Sequence, residues 1–372
     1  MKAAGIIFSE TKHSALDALT HCRTVASLPF GSRYRLIDFV LSNMVNSGIN
    51  NIGVITKSNY QSLMEHLGTC QEWDLNRKNG GLMIIPPFAA GVSGNYDGRL
   101  DKLSAALKFI DERCSEDYMI LADCAIVCKL DYAKILESHI SSGKDLTVVA
   151  MKVVRQEAKP SELVLDMDDR GKVTGVYINY IAKPGQYVSL GRCVIGRKYL
   201  RNVVTYLTAR GYHSFAKDFV QQDFNNGSLD ISVYVHDGPA MRNHDIKDYF
   251  ENSLALTDKE VQNTLFDMSR PVYTTVHDEV PTFYGNDSSV SDSLFADGCE
   301  INGKVEHSVL FRGVIIEKGA SVRNSVIMDA SVVEEGASLE NVIIDKNVRI
   351  SRNTHIKGAP ADPLIISKGE TV

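Results

Sequence analysis

From about residue 285 onward, apolar residues recur every six positions, a period that neither an α-helix nor a simple hairpin produces. Two registers carry this period: Leu310, Ile316, Val322 and Met328, and Val314, Ala320, Val326 and Val332. Glycines stand near the predicted corners, at Gly313, Gly319 and Gly336. The register later slips, because Val333 and Leu339 begin a new one. This spacing predicts a parallel β-helix, whose coils bury their apolar faces against neighbouring coils.

The first 230 or so residues have a different pattern, in which short apolar runs alternate with amphipathic helices. Buried strands are predicted at residues 3–8, 52–56, 83–85, 118–121 and 146–151. Helices are predicted at residues 37–45 and 132–140, ended by Gly48 and Gly143, with His139 half-buried on a helix face. Strands that alternate with helices predict an α/β domain with a mostly parallel sheet.

With 372 residues, the chain is long enough for more than one hydrophobic core. We expect an α/β domain over residues 1–256, a linker over 257–284 that contains Pro271 and Pro281, and a β-helix over 285–372.

The net charge of −6 does not favour nucleic-acid binding, and no apolar run is long enough for a membrane span or a signal sequence. Seven scattered cysteines without a CxxC pair are typical of reduced thiols, so a cytoplasmic location is expected. Cys124 and Cys128 are four residues apart, but without a second pair they do not favour a zinc site.

Three segments carry a resemblance to a known family. They are LPFGSRYRLIDFVLSNMVNSGINNIGVIT from Leu28, QEWDLNRKNGGLMIIPPF from Gln71, and GKVEHSVLFRGVIIEKGASVRNSVIM from Gly303. These segments resemble the ADP-glucose pyrophosphorylase (glucose-1-phosphate adenylyltransferase) family over nearly the whole chain. The resemblance implies a Rossmann-like nucleotidyltransferase domain followed by a left-handed parallel β-helix, and a tetrameric assembly.

The glycine-rich turn of that family, LAGGxGTRLxxLT, is not present after the first strand. The resemblance places Glu10, Thr11 and His13 at its three glycines and Ala15 at its arginine. Glycine is needed there because the backbone must approach the phosphates closely, and a glutamate adds a negative charge that faces a polyanion. The turn is therefore not expected to bind a nucleotide as the family's does.

Two further family positions are replaced, because Val25 stands for a lysine that acts on the phosphates and Arg242 for an aspartate that binds the metal. Asp123 matches the second metal-binding aspartate only with a shift of one residue, and would by itself be half a site. The resemblance thus implies no catalytic residues and no cofactor bound by this chain, with Mg²⁺ used by a catalytic partner.

Some binding positions are kept. Lys183 matches a lysine that contacts the sugar phosphate, although a solvated lysine before a proline turn explains it equally well. Arg23 and Arg35 match basic residues that border the family's activator site, and are candidate effector-binding residues. The alternative is a structural ion pair, such as Arg35 with Asp38.

These observations favour a non-catalytic, regulatory subunit in bacterial glycogen biosynthesis, which would join a catalytic subunit in a heterotetramer and respond to a sugar-phosphate effector. The second hypothesis is a divergent but active glucose-1-phosphate adenylyltransferase, for which the sequence offers no other glycine-rich turn. A hexapeptide acyltransferase with His307 or His355 as base would leave most of the chain unexplained.

Overall fold

The computed structural model describes residues 2–10, 14–56, 58–86 and 98–372. The chain forms two compact units, each assembled from separate stretches of sequence. The first unit comprises residues 1–12, 40–60 and 68–240, and the second comprises residues 13–39, 61–67 and 241–372. The domain boundaries predicted at residues 256 and 284 remain predictions.

Thirteen strands precede the β-helix in the described residues. They are β1 Ala3–Phe8, β2 Pro29–Phe30, β3 Tyr34–Arg35, β4 Asn51–Ile55, β5 Gly81–Ile85, β6 Tyr118–Asp123, β7 Ile126–Cys128, β8 Leu146–Lys152, β9 Ser161–Met167, β10 Val173–Tyr180, β11 Tyr187–Gly196, β12 Ile231–Val235 and β13 Ala240–Arg242. The α-helices are α1 Asp17–Thr20, α2 Leu36–Val45, α3 Gln61–Leu67, α4 Arg99–Ala105, α5 Tyr132–Ser142, α6 Arg197–Thr208, α7 Gln222–Asn225, α8 Ile246–Ala255 and α9 Lys259–Leu265. Short 3₁₀ turns lie at Ser14–Leu16, Val25–Ser27 and Gln71–Trp73, and π-helical turns at Phe109–Arg113 and Phe215–Gln221.

The first unit is built on a nine-stranded mixed sheet. Its central strands run in the order β10-β9-β11-β6-β1-β4-β5, while β8 pairs with β11 and β12. Strands β6, β1, β4 and β5 are mutually parallel, which confirms the predicted strands and their type. Every residue of β1 is buried, as expected for a strand covered on both faces.

Helices α2 and α5 confirm the predicted periodicity and end signals. Gly48 follows α2 with a φ of 76°, and Gly143 caps α5 with a φ of 61°, a conformation that glycine adopts without a steric penalty. His139 on α5 is not half-buried as predicted, because it is only 3% exposed. Its Nδ1 lies 2.7 Å from the Thr147 hydroxyl of β8, so the imidazole is a hydrogen-bonded core residue.

The β-helix of the second unit consists of three parallel five-stranded sheets. Its strands are β14 Phe283–Tyr284, β15 Ser289–Ser291, β16 Leu294–Phe295, β17 Glu300–Ile301, β18 Lys304–Glu306, β19 Val309–Leu310, β20 Ile315–Ile316, β21 Ser321–Arg323, β22 Val326–Ile327, β23 Val332–Val333, β24 Ser338–Glu340, β25 Val342–Ile344, β26 Arg349–Ile350, β27 His355–Lys357 and β28 Leu364–Ile366. Each strand pairs with the strand three positions further along the chain, which makes the fold a left-handed parallel β-helix as predicted. Part of the predicted linker is regular structure, since α9 and β14 lie within it.

The six-residue rhythm slips earlier than the sequence suggested. Ile316 pairs with Val333, and Val333 with Ile350, so these coils repeat every 17 residues rather than 18. One step in each coil is therefore five residues long, and the interior position after Val322 is Ile327, not the predicted Met328. Met328 is also fully buried, but it contacts Arg23 through its sulfur.

The five-residue step of the coil follows a corner at which side chains of successive coils form hydrogen bonds with one another. Asn324 and Asn341 stand one coil apart with φ values of 47° and 54°, and the Asn324 side-chain Nδ2 donates to the Asn341 side-chain Oδ1. Next to this corner, the buried Ser308 hydroxyl accepts a hydrogen bond from the Ser325 amide at 3.1 Å. Polar ladders therefore satisfy backbone groups where the coil is one residue short.

Candidate functional site

In the first unit, the candidate site lies where the parallel strands β1, β4 and β6 end, since ligands of open α/β sheets bind at the carboxyl ends of strands. Glu10 follows β1, and its Oε1 accepts a hydrogen bond from the Ser58 amide at 3.2 Å, in the loop after β4. The Lys102 amine donates to the Glu10 carbonyl oxygen at 3.3 Å. The predicted replacement of a glycine by Glu10 thus puts a carboxylate between two loops at this edge.

The other residues predicted in or near the turn have separate positions. Thr11 and His13 lie outside the described residues. Ala15 is exposed in a 3₁₀ turn of the second unit, and Val25 is 5% exposed in the turn that Thr24 caps. Valine supplies no positive charge at the position where the resemblance predicts a lysine.

Asp123 is the last residue of β6 and lies in register with Phe8, the last residue of β1. Its side chain is buried, and its Oδ2 accepts a hydrogen bond from Arg99 Nη2 at 3.3 Å. Its Oδ1 is buried without a hydrogen-bond partner in the part of the chain that the structure describes. A Cβ on Gly191, which has a φ of 70°, would lie 1.9 Å from Asp123 Oδ2, so glycine is required at that position.

Arg99 begins helix α4 and is held by two carboxylates. Besides its bond to Asp123, its Nη2 lies 3.8 Å from Glu162 Oε2. Burial disfavours the charged guanidinium, but Glu162 and Asp123 outweigh this effect and raise the pKa of Arg99. The arginine is therefore a fixed cation at the end of β6.

Arg192 on β11 is a second cation of this region and is 2% exposed. Its guanidinium donates to the backbone carbonyls of Leu190 and Ile126. Burial opposes its charge, yet its pKa is raised by Cys128, Tyr132 and Asp123. Sequence reasoning missed Arg99 and Arg192. An arginine inside the otherwise apolar strand SLGRCVIG is a signal that could have identified Arg192, whereas no such signal marks Arg99.

Lys183 and Arg242 lie in different units. Lys183 is exposed in the turn between β10 and β11, where its amide donates to Gln186 Oε1 at 2.8 Å. Arg242 ends β13 and is half-buried. Its backbone carbonyl oxygen accepts a hydrogen bond from the side-chain Nδ2 of Asn252 at 3.0 Å. Their proposed roles at family positions remain predictions.

Within the second unit, Arg23 is not an exposed residue. The residue is 3% exposed, and its guanidinium donates to both oxygens of Asp345, at 2.7 and 2.9 Å. Burial opposes the charge, but Asp345 outweighs it and raises the pKa of Arg23. The fork that was expected to bind an anionic effector is thus directed at a carboxylate of the same chain.

Arg35 is half-buried and its Nη1 donates to the Ser62 carbonyl and hydroxyl oxygens, at 2.5 and 2.9 Å. The Asp38 carboxylate accepts from the Arg35 amide at 3.0 Å and approaches His66 Nε2 to 2.6 Å. Burial lowers the pKa of Arg35, an effect that Asp329 and Asp38 oppose.

Lys346 is the third basic residue of this region, and it forms an ion pair with Asp329. Burial lowers the pKa of Lys346, and the charges of Arg35 and Arg23 lower it further, whereas Asp329 raises it. Arg23, Arg35 and Lys346 therefore influence one another electrostatically in one compact unit. We refer to these three side chains as the basic cluster.

No group of three or more His, Cys, Asp or Glu side chains among the described residues is arranged to hold a metal ion. Within the same ranges, every helix is too short or too polar to cross a membrane.

Comparison with known proteins shows which families the chain matches. Residues 5–238 match the nucleotidyl transferase family, and residues 275–362 match the GlmU-like C-terminal hexapeptide family. The glycogen biosynthesis protein GlgD of Bacillus subtilis is 34% identical over 98% of this chain and 95% of its own length. GlgD of Geobacillus stearothermophilus is 36% identical over 99% of this chain and 96% of its length.

A relative with a different name matches less of the chain. The glucose-1-phosphate adenylyltransferase of Pseudothermotoga lettingae is 30% identical over 86% of this chain and 76% of its own length. The resemblance found in the sequence motifs is therefore confirmed across both matched regions. The chain belongs to the nucleotidyltransferase family that includes the glucose-1-phosphate adenylyltransferases and the GlgD glycogen biosynthesis proteins.

Proposed function

We propose that this chain is a non-catalytic, regulatory subunit of glucose-1-phosphate adenylyltransferase in bacterial glycogen biosynthesis. The observation that carries the proposal is Glu10, which stands where the family has a glycine and bonds the Ser58 amide. A backbone that cradles phosphates must approach them closely, and a carboxylate at this position repels a polyanion. The GlgD relatives, which are named glycogen biosynthesis proteins and match nearly the whole chain, support the glycogen part of this proposal.

The residues around Asp123 also do not suit the Mg²⁺ of the family's reaction. Hard divalent cations need several oxygen ligands, whereas the Asp123 carboxylate is bonded to Arg99. The nearby guanidinium of Arg192 adds a second positive charge. We therefore propose that the catalytic partner, and not this chain, uses the metal.

Assembly with a catalytic glucose-1-phosphate adenylyltransferase, as a heterotetramer, is the partner interaction that this role requires. A subunit without its own chemistry can act only by binding differently to two conformations of its neighbour, which gives a coupling free energy of about 1–3 kcal/mol. The basic cluster is the candidate site for a sugar-phosphate effector. Arg35 is its best candidate, because the Arg23 guanidinium is already occupied by Asp345.

Co-expression tests this proposal. A tagged copy of this chain and an untagged catalytic subunit should co-purify in one oligomer, and the mixture should differ from the catalytic subunit alone in apparent substrate affinity, maximal rate or effector response. The proposal fails if the proteins do not associate at micromolar concentrations. It also fails if the mixture has the kinetics of the catalytic subunit scaled by its content. High turnover by this chain alone would instead support a divergent but active enzyme.

A further inference from the structure

We infer that Arg99 is a built-in cation for the carboxylates of Asp123 and Glu162, and that its presence excludes a divalent metal ion from that position. Both carboxylates converge on one nitrogen of the guanidinium, at 3.3 Å for Asp123 and 3.8 Å for Glu162. A metal ion shared by these two groups would need the same space. It would also meet the charge of an arginine, which does not lose its proton in proteins.

The start of helix α4 holds Arg99 in this place. A Cβ on Gly98 would lie 2.1 Å from the His213 carbonyl oxygen, and the Leu100 amide donates to that same oxygen at 3.0 Å. Asp101 accepts from the Gly98 amide at 3.1 Å and approaches His213 Nδ1 to 2.8 Å. Three contacts therefore fix the two residues that flank Arg99, and the bond between Asp101 and His213 ties their partners together.

The surroundings of the guanidinium are equally specific. Its central carbon lies 4.8 Å from the centroid of the Phe8 ring, a cation–π distance, and Phe8 is the neighbour of Asp123 in the sheet. The Asp123 carboxylate occupies the space that a Cβ on residue 191 would take, so the glycine there gives it room. A small cavity of about 30 Å³, lined by Arg99, Glu162, Ser189, Gly191 and Arg192 among others, lies beside the guanidinium. The guanidinium thus fills a prepared position.

The Arg99 guanidinium leaves one oxygen of the Asp123 carboxylate without a hydrogen bond in the described part of the chain. Its Oδ1 is buried and has no hydrogen-bond partner among the described residues. Removal of the guanidinium should leave two carboxylates that face the same vacant space, one of them buried and unpaired. That arrangement is expected to recruit a small divalent cation, for which carboxylate oxygens are preferred ligands.

The inference concerns an ion position inside this chain and does not depend on assembly with another subunit. It is tested on the isolated chain by calorimetric titration with MnCl₂ and by thermal unfolding with and without MnCl₂. The variants are Arg99→Gln, Asp123→Asn and the double variant. Arg155→Ala, which removes an exposed arginine of the same unit, is the matched control.

The expected result is a saturable Mn²⁺ site in Arg99→Gln that binds at least about tenfold more tightly than any site in the wild-type chain. The double variant should lose this site, and Arg155→Ala should behave as wild type. A folded Arg99→Gln variant that gains no Mn²⁺ binding would overturn the inference. If Arg99→Gln does not fold, the comparison of wild type with Asp123→Asn decides: superimposable titrations support the inference, and a Mn²⁺ site that is lost in Asp123→Asn contradicts it.

Discussion

The Arg23 guanidinium and the Asp345 carboxylate form a buried ion pair across 322 residues of sequence, with both carboxylate oxygens bonded to the same nitrogen at 2.7 and 2.9 Å. Asp345 is fully buried and also accepts a hydrogen bond from the Lys346 amide at 2.7 Å. The pair joins the N-terminal turn after α1 to β-helix residues within the second unit. The ion pair therefore stabilises a contact that no local sequence pattern predicts.

Arg23→Ala should destabilise the chain by about 3–5 kcal/mol, because it leaves the Asp345 charge buried and unpaired. Urea unfolding measures the loss. The control is Arg33→Ala, which removes a pair with Asp297 whose two side chains are 42% and 43% exposed, and which should cost about 0–1 kcal/mol. Equal costs for the two variants would show that the buried pair has no special role.

Replacing Glu10 by glycine should not make the isolated chain an efficient enzyme. Val25 and Arg242 still lack the functions that the family has at those positions, and loss of one electrostatic donor in an active site can cost about 10²- to 10³-fold in rate. Pyrophosphate release from ATP and glucose 1-phosphate measures this, with a catalytic relative as the positive control. Turnover within tenfold of that relative, in wild type or in Glu10→Gly, would contradict the prediction.

Much of the fold follows from local sequence rules. The buried strands, the glycines that end α2 and α5, and the hexapeptide period are all local patterns, and the structure confirms them. The length of a coil is different, because a 17-residue repeat depends on a corner closed by hydrogen bonds between residues in successive coils, such as Asn324 and Asn341. A window of six residues contains no information about that contact.

The candidate site was less predictable than the fold. The resemblance to the family predicts replacements at Glu10 and Val25, but the ion pairs of the site join residues that are distant in sequence. Asp123 is 24 residues from Arg99, and Arg23 is 322 residues from Asp345. Whether an arginine is exposed or buried depends on these distant contacts, which is why the burial of Arg23 could not be predicted from the sequence.

Gly191→Ala should be much more harmful than Gly185→Ala. Both glycines have a positive φ, of 70° and 92°, but a Cβ on Gly191 would collide with Asp123 Oδ2, while no atom lies within 4 Å of the corresponding position at Gly185. Backbone strain alone costs about 1–2 kcal/mol, and overpacking adds about 1–3 kcal/mol at Gly191. Chemical denaturation of the two variants compares these costs. A similar loss in both would mean that Asp123 moves away freely.

Acidification should destabilise the chain partly through His139. Burial lowers the pKa of His139 below its usual 6.5, so the unfolded chain binds more protons than the folded chain as the pH falls below 6.5. The stabilising contribution of neutral His139 is thus present above pH 6.5 and is lost as the pH falls through the folded pKa. One proton contributes at most about 1.4 kcal/mol per pH unit.

The measurement is the free energy of unfolding between pH 7.5 and about pH 5 for wild type and His139→Gln. The variant should show a shallower dependence, although a slope remains because burial also lowers the pKa of His236 and His277. An unchanged slope in His139→Gln would contradict the prediction.

Arg35→Ala should weaken the effector response of the mixed enzyme while leaving its assembly intact. The Arg35 guanidinium is held by Ser62 rather than by a carboxylate, so its remaining N–H donors are available to an anion. Loss of a coupling of about 1–3 kcal/mol would raise the half-saturating concentration of a sugar phosphate roughly 5- to 150-fold. Activity titrations of the co-purified enzyme with a panel of sugar phosphates measure this shift, and Arg323→Ala, which removes an exposed arginine of the β-helix, should not change it.

Arg35→Lys should restore the response only in part, because lysine keeps the charge but not the paired donors. If Arg35→Ala and wild type have the same titration in a folded, assembled enzyme, Arg35 serves the structure of the second unit and the effector binds elsewhere.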